Sequence, residues 1–331
     1  MAQSSKKSLP AVSFLGPVSS YTHQATLQCF GKGTFEYQPA TTIADVFEAV
    51  QSGEAEKGVV PFENSTNGAV IPTLELLADR NSLYPDLYVS AEAYLDVRHF
   101  LLGHKAPPVS LTSSPVLSGI STPTPSYPAP LQPKSKPLLS LKHIKRLHTH
   151  PQAYGQCEIF LGAYLKGVER REESSTSRSA EVVKADTSGK SAAIASSLAA
   201  EVHGLDILAE NIEDREDNTT RFFILQKGKP VNDLPQDADV QSKSLVSFTV
   251  DHGTPGALAD VLECFRNNRL NLTSINSRPT TTTRFQYIFF VEFVGSRIRD
   301  WDGRVEEALS CLDKHTQSWR WLGSWEDKLQ R

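Results

Sequence analysis

Asn218-Thr219-Thr220-Arg221-Phe222 leaves an acidic loop, Glu213-Asp214-Arg215-Glu216-Asp217, and enters an apolar run, Phe222-Phe223-Ile224-Leu225. A hydroxyl at the mouth of a strand can be aimed into a cleft while the strand holds it still, which a proton donor requires. Alternation along an extended segment puts Thr220 and Phe222 on one side and Arg221 on the other, so Thr220 is the candidate donor. The competing reading is structural: Thr220 opens a strand, and Arg221 pairs with the acidic loop.

Further polar clusters stand at the ends of short apolar runs. Residues 12–16 read as a strand that stops at Gly16-Pro17, before Ser19-Ser20-Tyr21-Thr22 and a helix carried by Ala25, Leu27 and Phe30 and ended by Gly31. A hydroxyl-rich helix start presents free N–H groups to an anion, although plain capping explains the same residues. A strand over 57–62 ends in Glu63-Asn64-Ser65-Thr66-Asn67-Gly68, where open α/β sheets place ligand groups; an Asn67-Gly68 turn accounts for the last two without function. A strand over 144–148 runs into Thr149-His150-Pro151-Gln152, and Pro151 suits the first turn of one helix whose Ala153, Cys157, Phe160, Leu161 and Tyr164 share a face. Gln152 is a candidate ligand contact. His148 and His150 lack a third metal ligand, so no metal is expected. Ser174-Ser175-Thr176-Ser177 opens another helix.

These segments need elements to hold them. Helices are expected over 42–52 and 72–78, and an apolar-alternating run over 87–102 reads as a strand or paired strands. Strands alternating with helices up to residue 228 indicate an α/β architecture with mostly parallel pairing. Within 104–140, 20 of 37 residues are Pro, Ser or Thr and none is acidic. Such a stretch cannot bury enough apolar surface to order itself and reads as a disordered surface insertion. A polar linker over 229–243 marks a domain boundary, after which strands over 245–250, 270–278, 285–293 and 319–321, with helices over 256–266 and 305–312, follow a β-α-β-β-α-β, ferredoxin-like plan.

The bulk numbers restrict the partners. At 331 residues, 39% hydrophobic and 22% charged with a net charge of −4, the chain is an ordinary globular protein with no broad basic surface for nucleic acid. No run is long and apolar enough for a membrane span, and the N-terminus lacks a signal-peptide core, so a cytoplasmic protein with a small-molecule partner is expected. Cys29, Cys157, Cys264 and Cys311 lie far apart and read as reduced core thiols. The N-x-S/T triplets at Asn64, Asn218 and Asn271 read as accidental.

Taken in order, these stretches resemble a prephenate dehydratase followed by an ACT regulatory domain. Gly16-Pro17 with its hydroxyls, Gly58-Val59-Val60-Pro61-Phe62-Glu63-Asn64-Ser65, His150-Pro151-Gln152-Ala153, Ser175-Thr176 and Asn218-x-Thr220-Arg221-Phe222 carry the likeness, which covers nearly the whole chain except the insertion. The resemblance implies a two-lobed, periplasmic-binding-protein-like catalytic domain over 10–228 and an ACT domain over 244–326. It implies loss of carbon dioxide and water from prephenate to give phenylpyruvate in L-phenylalanine biosynthesis, without cofactor. Thr220 becomes the catalytic residue and Glu63 its neighbour. Ser20, Thr22, Asn64, Ser65, Gln152, Thr176, Asn218 and Phe222 become substrate contacts. Prephenate carries two carboxylates and a departing hydroxyl, which calls for dispersed donors with one aimed at the leaving oxygen.

Gly256-Ala257-Leu258 and Asn276-Ser277-Arg278-Pro279 resemble the phenylalanine-binding motifs, which implies feedback regulation by phenylalanine between paired ACT domains in a homodimer or homotetramer. Two departures stand out. Ser19-Ser20 replaces the usual glycine-threonine, at the cost of glycine's backbone freedom, and Asn276 replaces a glutamate that would serve a ligand ammonium. An arogenate dehydratase fits the same donors, and a non-catalytic amino-acid-sensing module fits the two-lobed plan. A nucleotide-dependent oxidoreductase is disfavoured because no G-x-G-x-x-G follows an early strand.

Overall fold

The computed structural model describes residues 9–106, 132–229, 241–281 and 283–329. In chain order the elements are β1 (Ala11–Leu15), α1 (Tyr21–Phe30), β2 (Glu36–Ala40), α2 (Ile43–Ser52), β3 (Lys57–Asn64), β4 (Gly68–Ala69), α3 (Ile71–Ala78), β5 (Leu87–Asp96), β6 (Phe100–Gly103), β7 (Arg146–Thr149), α4 (Pro151–Gly155), α5 (Glu158–Tyr164), β8 (Glu169–Glu172), α6 (Thr176–Ala185), β9 (Ser191–Ala195), α7 (Ser197–His203), β10 (Asp206–Ala209) and β11 (Thr219–Lys227). The C-terminal part adds β12 (Ser242–Thr249), α8 (Ala257–Asn267), β13 (Leu272–Pro279), β14 (Tyr287–Val294), α9 (Arg304–His315) and β15 (Ser318–Glu326). They form two compact units. One takes in the chain up to Leu15, Ala25–Tyr94 and Thr220 onward; the other takes in Gly16–Gln24 and Leu95–Thr219.

In the first unit a sheet runs β2-β1-β3-β11-β5, with β4 on β3. α2 closes on it with Ile43, Val46, Phe47 and Val50 buried, started by a Thr42–Asp45 capping box and stopped by left-handed Gly53. A Cβ on Gly58 would lie 2.8 Å from methyl carbons of Val46 and Val50, so only glycine lets the helix approach β3 this closely. The βαββαβ plan is realised as a sheet ordered β13-β14-β12-β15, whose α8 and α9 cover a core of Val246, Phe248, Val261, Phe265, Val291 and Leu309. Other residues of this sheet, Leu245, Phe290, Leu322 and Trp325, share a core with Phe62, Leu87, Val89 and Phe223. Of the polar stretch over 229–243, residues 230–240 lie outside the described residues, and β12 already begins at Ser242.

The second unit has a sheet ordered β10-β6-β9-β7-β8. Leu147, Cys157, Phe160 and Ile194 fill one core, and Leu102, Ala180, Val183 and Ala199 fill another.

Several expectations are corrected. Pairing before residue 228 is mixed, not mostly parallel: β1 with β2 and β3, and β7 with β8 and β9, run parallel, whereas β11 against β3 and β6 against β9 and β10 run antiparallel. The 87–102 run is two strands, β5 and β6, in different sheets. The single helix expected after Pro151 breaks between Gly155 and Glu158, where Asp214 accepts from the Ile159 N–H at 3.1 Å and so caps the second piece. Part of the proposed disordered insertion is ordered at its far side: Leu138 N–H donates to the Leu208 carbonyl at 2.8 Å, while residues 107–131 lie outside the described residues. Cys264 and Cys311 form a disulfide between α8 and α9 in place of two free thiols; Cys157 is a buried thiol as expected, whereas Cys29 is exposed. β15 extends well beyond the short strand expected at 319–321. No helix among the described residues is long and apolar enough to cross a membrane.

Candidate active site

Thr220 stands opposite Asn64 in the antiparallel β3–β11 ladder. The partners then shift, with Arg221 opposite Glu63 and Phe222 opposite Pro61, so Phe62 is the extra residue of a bulge. Pro61 has no N–H to give to a ladder, which is where a bulge forms most readily. The Asn64 side chain is fixed at both ends. Its Oδ1 accepts from Thr66 N at 3.1 Å, Thr66 Oγ1 at 2.8 Å and Asn67 N at 3.1 Å, which turns Nδ2 towards Thr220 Oγ1 at 3.0 Å. A hydroxyl that accepts from an amide keeps its own O–H to donate and becomes a better donor for it.

Arg221 does not pair with the acidic loop. It is 6% exposed and holds Glu92 and Glu292, with Nε to Glu92 Oε2 at 2.8 Å. Burial works to lower its pKa, and the charges of Glu292 and Glu92 outweigh it and hold the pKa above the ordinary arginine value. Glu63 lies farther off, 3.9 Å from Arg221 Nη1, with 42% of its side chain exposed. Phe222 is only 1% exposed. It packs in the interior and does not present the ring expected as a substrate contact.

In the second unit, Ser20 accepts from the His23 N–H at 3.1 Å, so it caps α1, and Thr22 is buried within the helix. Ser19 has φ +75, the left-handed backbone that glycine would adopt at no cost. Three polar contacts hold it there: its N–H donates to His23 Nδ1 at 3.1 Å, its Oγ lies 3.2 Å from His203 Nε2, and its carbonyl accepts from Ser196 Oγ at 3.1 Å. Gln152 is exposed at the first turn of α4, which His150 caps. His148 pairs with Glu173 at 3.0 Å. Ser175 caps α6 by accepting from the Arg178 N–H at 3.0 Å, and Thr176 is the first helical residue. Asn218 is buried, and its carbonyl accepts from Val97 N at 2.8 Å.

The expected effector residues divide by element. Gly256 opens α8 with φ 87, ahead of Ala257 and Leu258. Asn276, Ser277, Arg278 and Pro279 end β13, an edge strand of its sheet. Asn276 donates to Ser274 Oγ at 3.1 Å, Arg278 holds Glu75 of α3, and the Pro279 carbonyl accepts from Arg80 Nε at 2.8 Å.

Sequence reading missed a buried polar chain in the second unit. His99 Nε2 lies 2.7 Å from Gln156 Oε1 and its Nδ1 lies 2.9 Å from the Tyr21 hydroxyl, which donates to the Arg98 carbonyl at 3.0 Å. Burial raises the Tyr21 pKa and lowers that of His99, and Glu213 anchors the His99 N–H at 2.8 Å. The signal was the hydroxyl cluster at Tyr21, but the partners of the Tyr21 hydroxyl lie 77 and 78 residues away.

With this geometry in view, similarity to known proteins gives the family. Residues 12–230 match prephenate dehydratase. The chain is 33% identical over 319 residues to a bifunctional chorismate mutase/prephenate dehydratase of Aquifex aeolicus, covering 96% of this chain and 74% of that one. It is 30% identical over 320 residues to the prephenate dehydratase of Methanocaldococcus jannaschii, covering 95% and 97%. A crystal structure of prephenate dehydratase in complex with L-Phe from Arthrobacter aurescens superposes with a TM-score of 0.74 at 29% identity, covering 95% of this chain and 89% of that one. The motif segments, the α/β fold that carries them and these likenesses agree that the chain belongs to the prephenate dehydratase family.

Proposed function

We propose that the protein converts prephenate to phenylpyruvate, carbon dioxide and water, with the Thr220 hydroxyl donating to the departing ring oxygen. Cleavage of the bond to the ring carboxylate releases carbon dioxide, its bonding electrons complete the aromatic ring, and the hydroxyl takes one proton, passed through the Thr220 hydroxyl and restored to it from solvent, to leave as water. The protein's task is to stabilise charge on that oxygen as it departs. The Asn64 Nδ2 contact to Thr220 Oγ1, at 3.0 Å, carries this reading. A threonine hydroxyl is a weak acid, and donation from an amide whose own oxygen is saturated is what favours its O–H as a donor. Asn64 thus acts on Thr220 as well as standing among the proposed substrate contacts. Ser65, Ser20, Thr22, Gln152, Thr176 and Asn218 are the other proposed substrate contacts, and Glu63 the proposed neighbour of the donor.

Feedback by phenylalanine is proposed to enter through an ACT domain formed by β12 to β15 with α8 and α9. Gly256, Ala257, Leu258 and Asn276 to Pro279 would form its effector site. Among the described residues β13 is an edge strand of its sheet, and with Ile275 51% exposed this supports pairing with a second copy as a homodimer.

The test is turnover. Purified protein is supplied with prephenate or arogenate separately and aromatic product is followed, which decides the substrate. Thr220→Val is expected to lower kcat by ~10²–10⁴-fold, the span of a positioned donor. Turnover near the parent rate would remove Thr220 from the mechanism.

A further inference from the structure

The carboxylates around Arg221 come from two parts of the first unit far apart in sequence. Glu92, on β5, has a fully buried side chain; its Oε2 takes Arg221 Nε at 2.8 Å, and its Oε1 takes Lys243 Nζ at 3.2 Å and the Lys328 N–H at 2.9 Å. Glu292, on β14 of the βαββαβ module, takes Arg221 Nη2 and accepts from Thr273 Oγ1 at 2.6 Å. Lys243 also pairs with Asp327 at 2.8 Å. The guanidinium lies 5.3 Å from the Phe62 ring centre, 5.0 Å from that of Phe223 and 5.8 Å from that of Tyr94. Such a site is expensive to build from ions, and an apolar residue in place of Arg221 would often be as stable. A fork held by two carboxylates is instead a means of fixing orientation.

What it orients is the peptide unit after Thr220. Phe62, the extra residue of the β3 bulge, is one of the rings under the guanidinium, so the same side chain secures the bulge and the start of β11. We propose that Arg221 is a positioning residue: clamped by Glu92 and Glu292, it fixes the first residues of β11 and so the direction of the Thr220 O–H, and the C-terminal module takes part in catalysis by supplying Glu292. This rests on Thr220 being the donor. A donor displaced by about an ångström can lose ~10²-fold in rate.

The experiment is steady-state turnover of prephenate by full-length protein with Arg221→Lys, Glu292→Gln and Thr220→Val, singly and combined, with melting curves alongside. Arg221→Lys keeps the charge but loses the fork, and is expected to lower kcat ~10–100-fold with KM within about threefold. Glu292→Gln is expected to lower kcat in the same sense by less. In a Thr220→Val background neither change should lower kcat further, because the group they aim is gone. Equal losses in both backgrounds, or a rise in KM with kcat unchanged, would overturn the proposal. If Thr220→Val itself turns over normally, it is the reading of the donor that has failed. Should Arg221→Lys not fold, Glu292→Gln, which leaves Arg221 and Glu92 in place, carries the same comparison.

Discussion

Asn64 and Thr220 face each other across the β3–β11 ladder, and the amide of the first donates to the hydroxyl of the second at 3.0 Å. Both orientations follow from neighbours. The Asn64 oxygen is committed to its own turn by Thr66 and Asn67, so the amide cannot flip without losing those bonds. Asn64→Ala should therefore leave the fold in place and lower kcat by ~10–10²-fold, with a smaller change in KM. Initial rates across a prephenate series would check this, and a change confined to KM would leave Asn64 a substrate contact alone.

Ser19 allows a backbone term to be separated from a hydrogen-bond term. Ser19→Gly and Ser19→Ala both remove the hydroxyl that meets His203, but only glycine relieves the left-handed φ of +75. Ser19→Ala should be less stable than Ser19→Gly by ~1 kcal/mol, read from urea unfolding midpoints. Equal midpoints would mean that the surrounding bonds, and not the residue type, set this conformation.

Acid should loosen the second unit. Burial lowers the pKa of His23, His99 and His203 from the ordinary histidine value. For a group depressed in the folded state, the unfolded chain takes the proton first as pH falls. The stability of the neutral rings is then complete above about 6.5 and is lost as pH drops through the folded values. Two of these rings contact Ser19 and the third contacts Tyr21, so amide protection factors over 19–24, which divide out the intrinsic pH dependence of exchange, should fall at pH 5.5 relative to pH 7.5. Protection factors that are unchanged across this range would sink the assignment.

Glu75 holds both Arg80 and Arg278, and Arg80 reaches the Pro279 carbonyl, so the end of β13 is tied to α3. If phenylalanine acts at Arg278, this tie is a route by which its binding is felt. Glu75→Gln should leave kcat without phenylalanine within about twofold and raise the half-inhibiting phenylalanine concentration ~5-fold or more, the low end of ordinary coupling. Calorimetric binding that weakens in step with inhibition would show that Glu75 serves affinity and not transmission.

The candidate site residues were legible because they stand at ends of elements. Gly16-Pro17, the residues after Phe62, the turn into α4 and the mouth of β11 are all places where apolar periodicity stops and polar residues begin. The βαββαβ order was readable for the same reason. Arg221 was not: its one visible carboxylate neighbours were in the acidic loop, whereas Glu92 and Glu292 lie 129 and 71 residues away. The Cys264–Cys311 bond spans 47 residues and was equally out of reach.

By itself, then, the order of amino acids determined the local elements, the polar clusters at their ends and the family to which the chain belongs, because periodicity, caps and turns act over a few residues. The tertiary structure alone decided which donors are spent on protein partners and which carboxylates hold Arg221. Those contacts join strands brought together by burial of a shared core of Phe62, Phe223, Leu245 and Trp325, and no local signal encodes such long-range pairing.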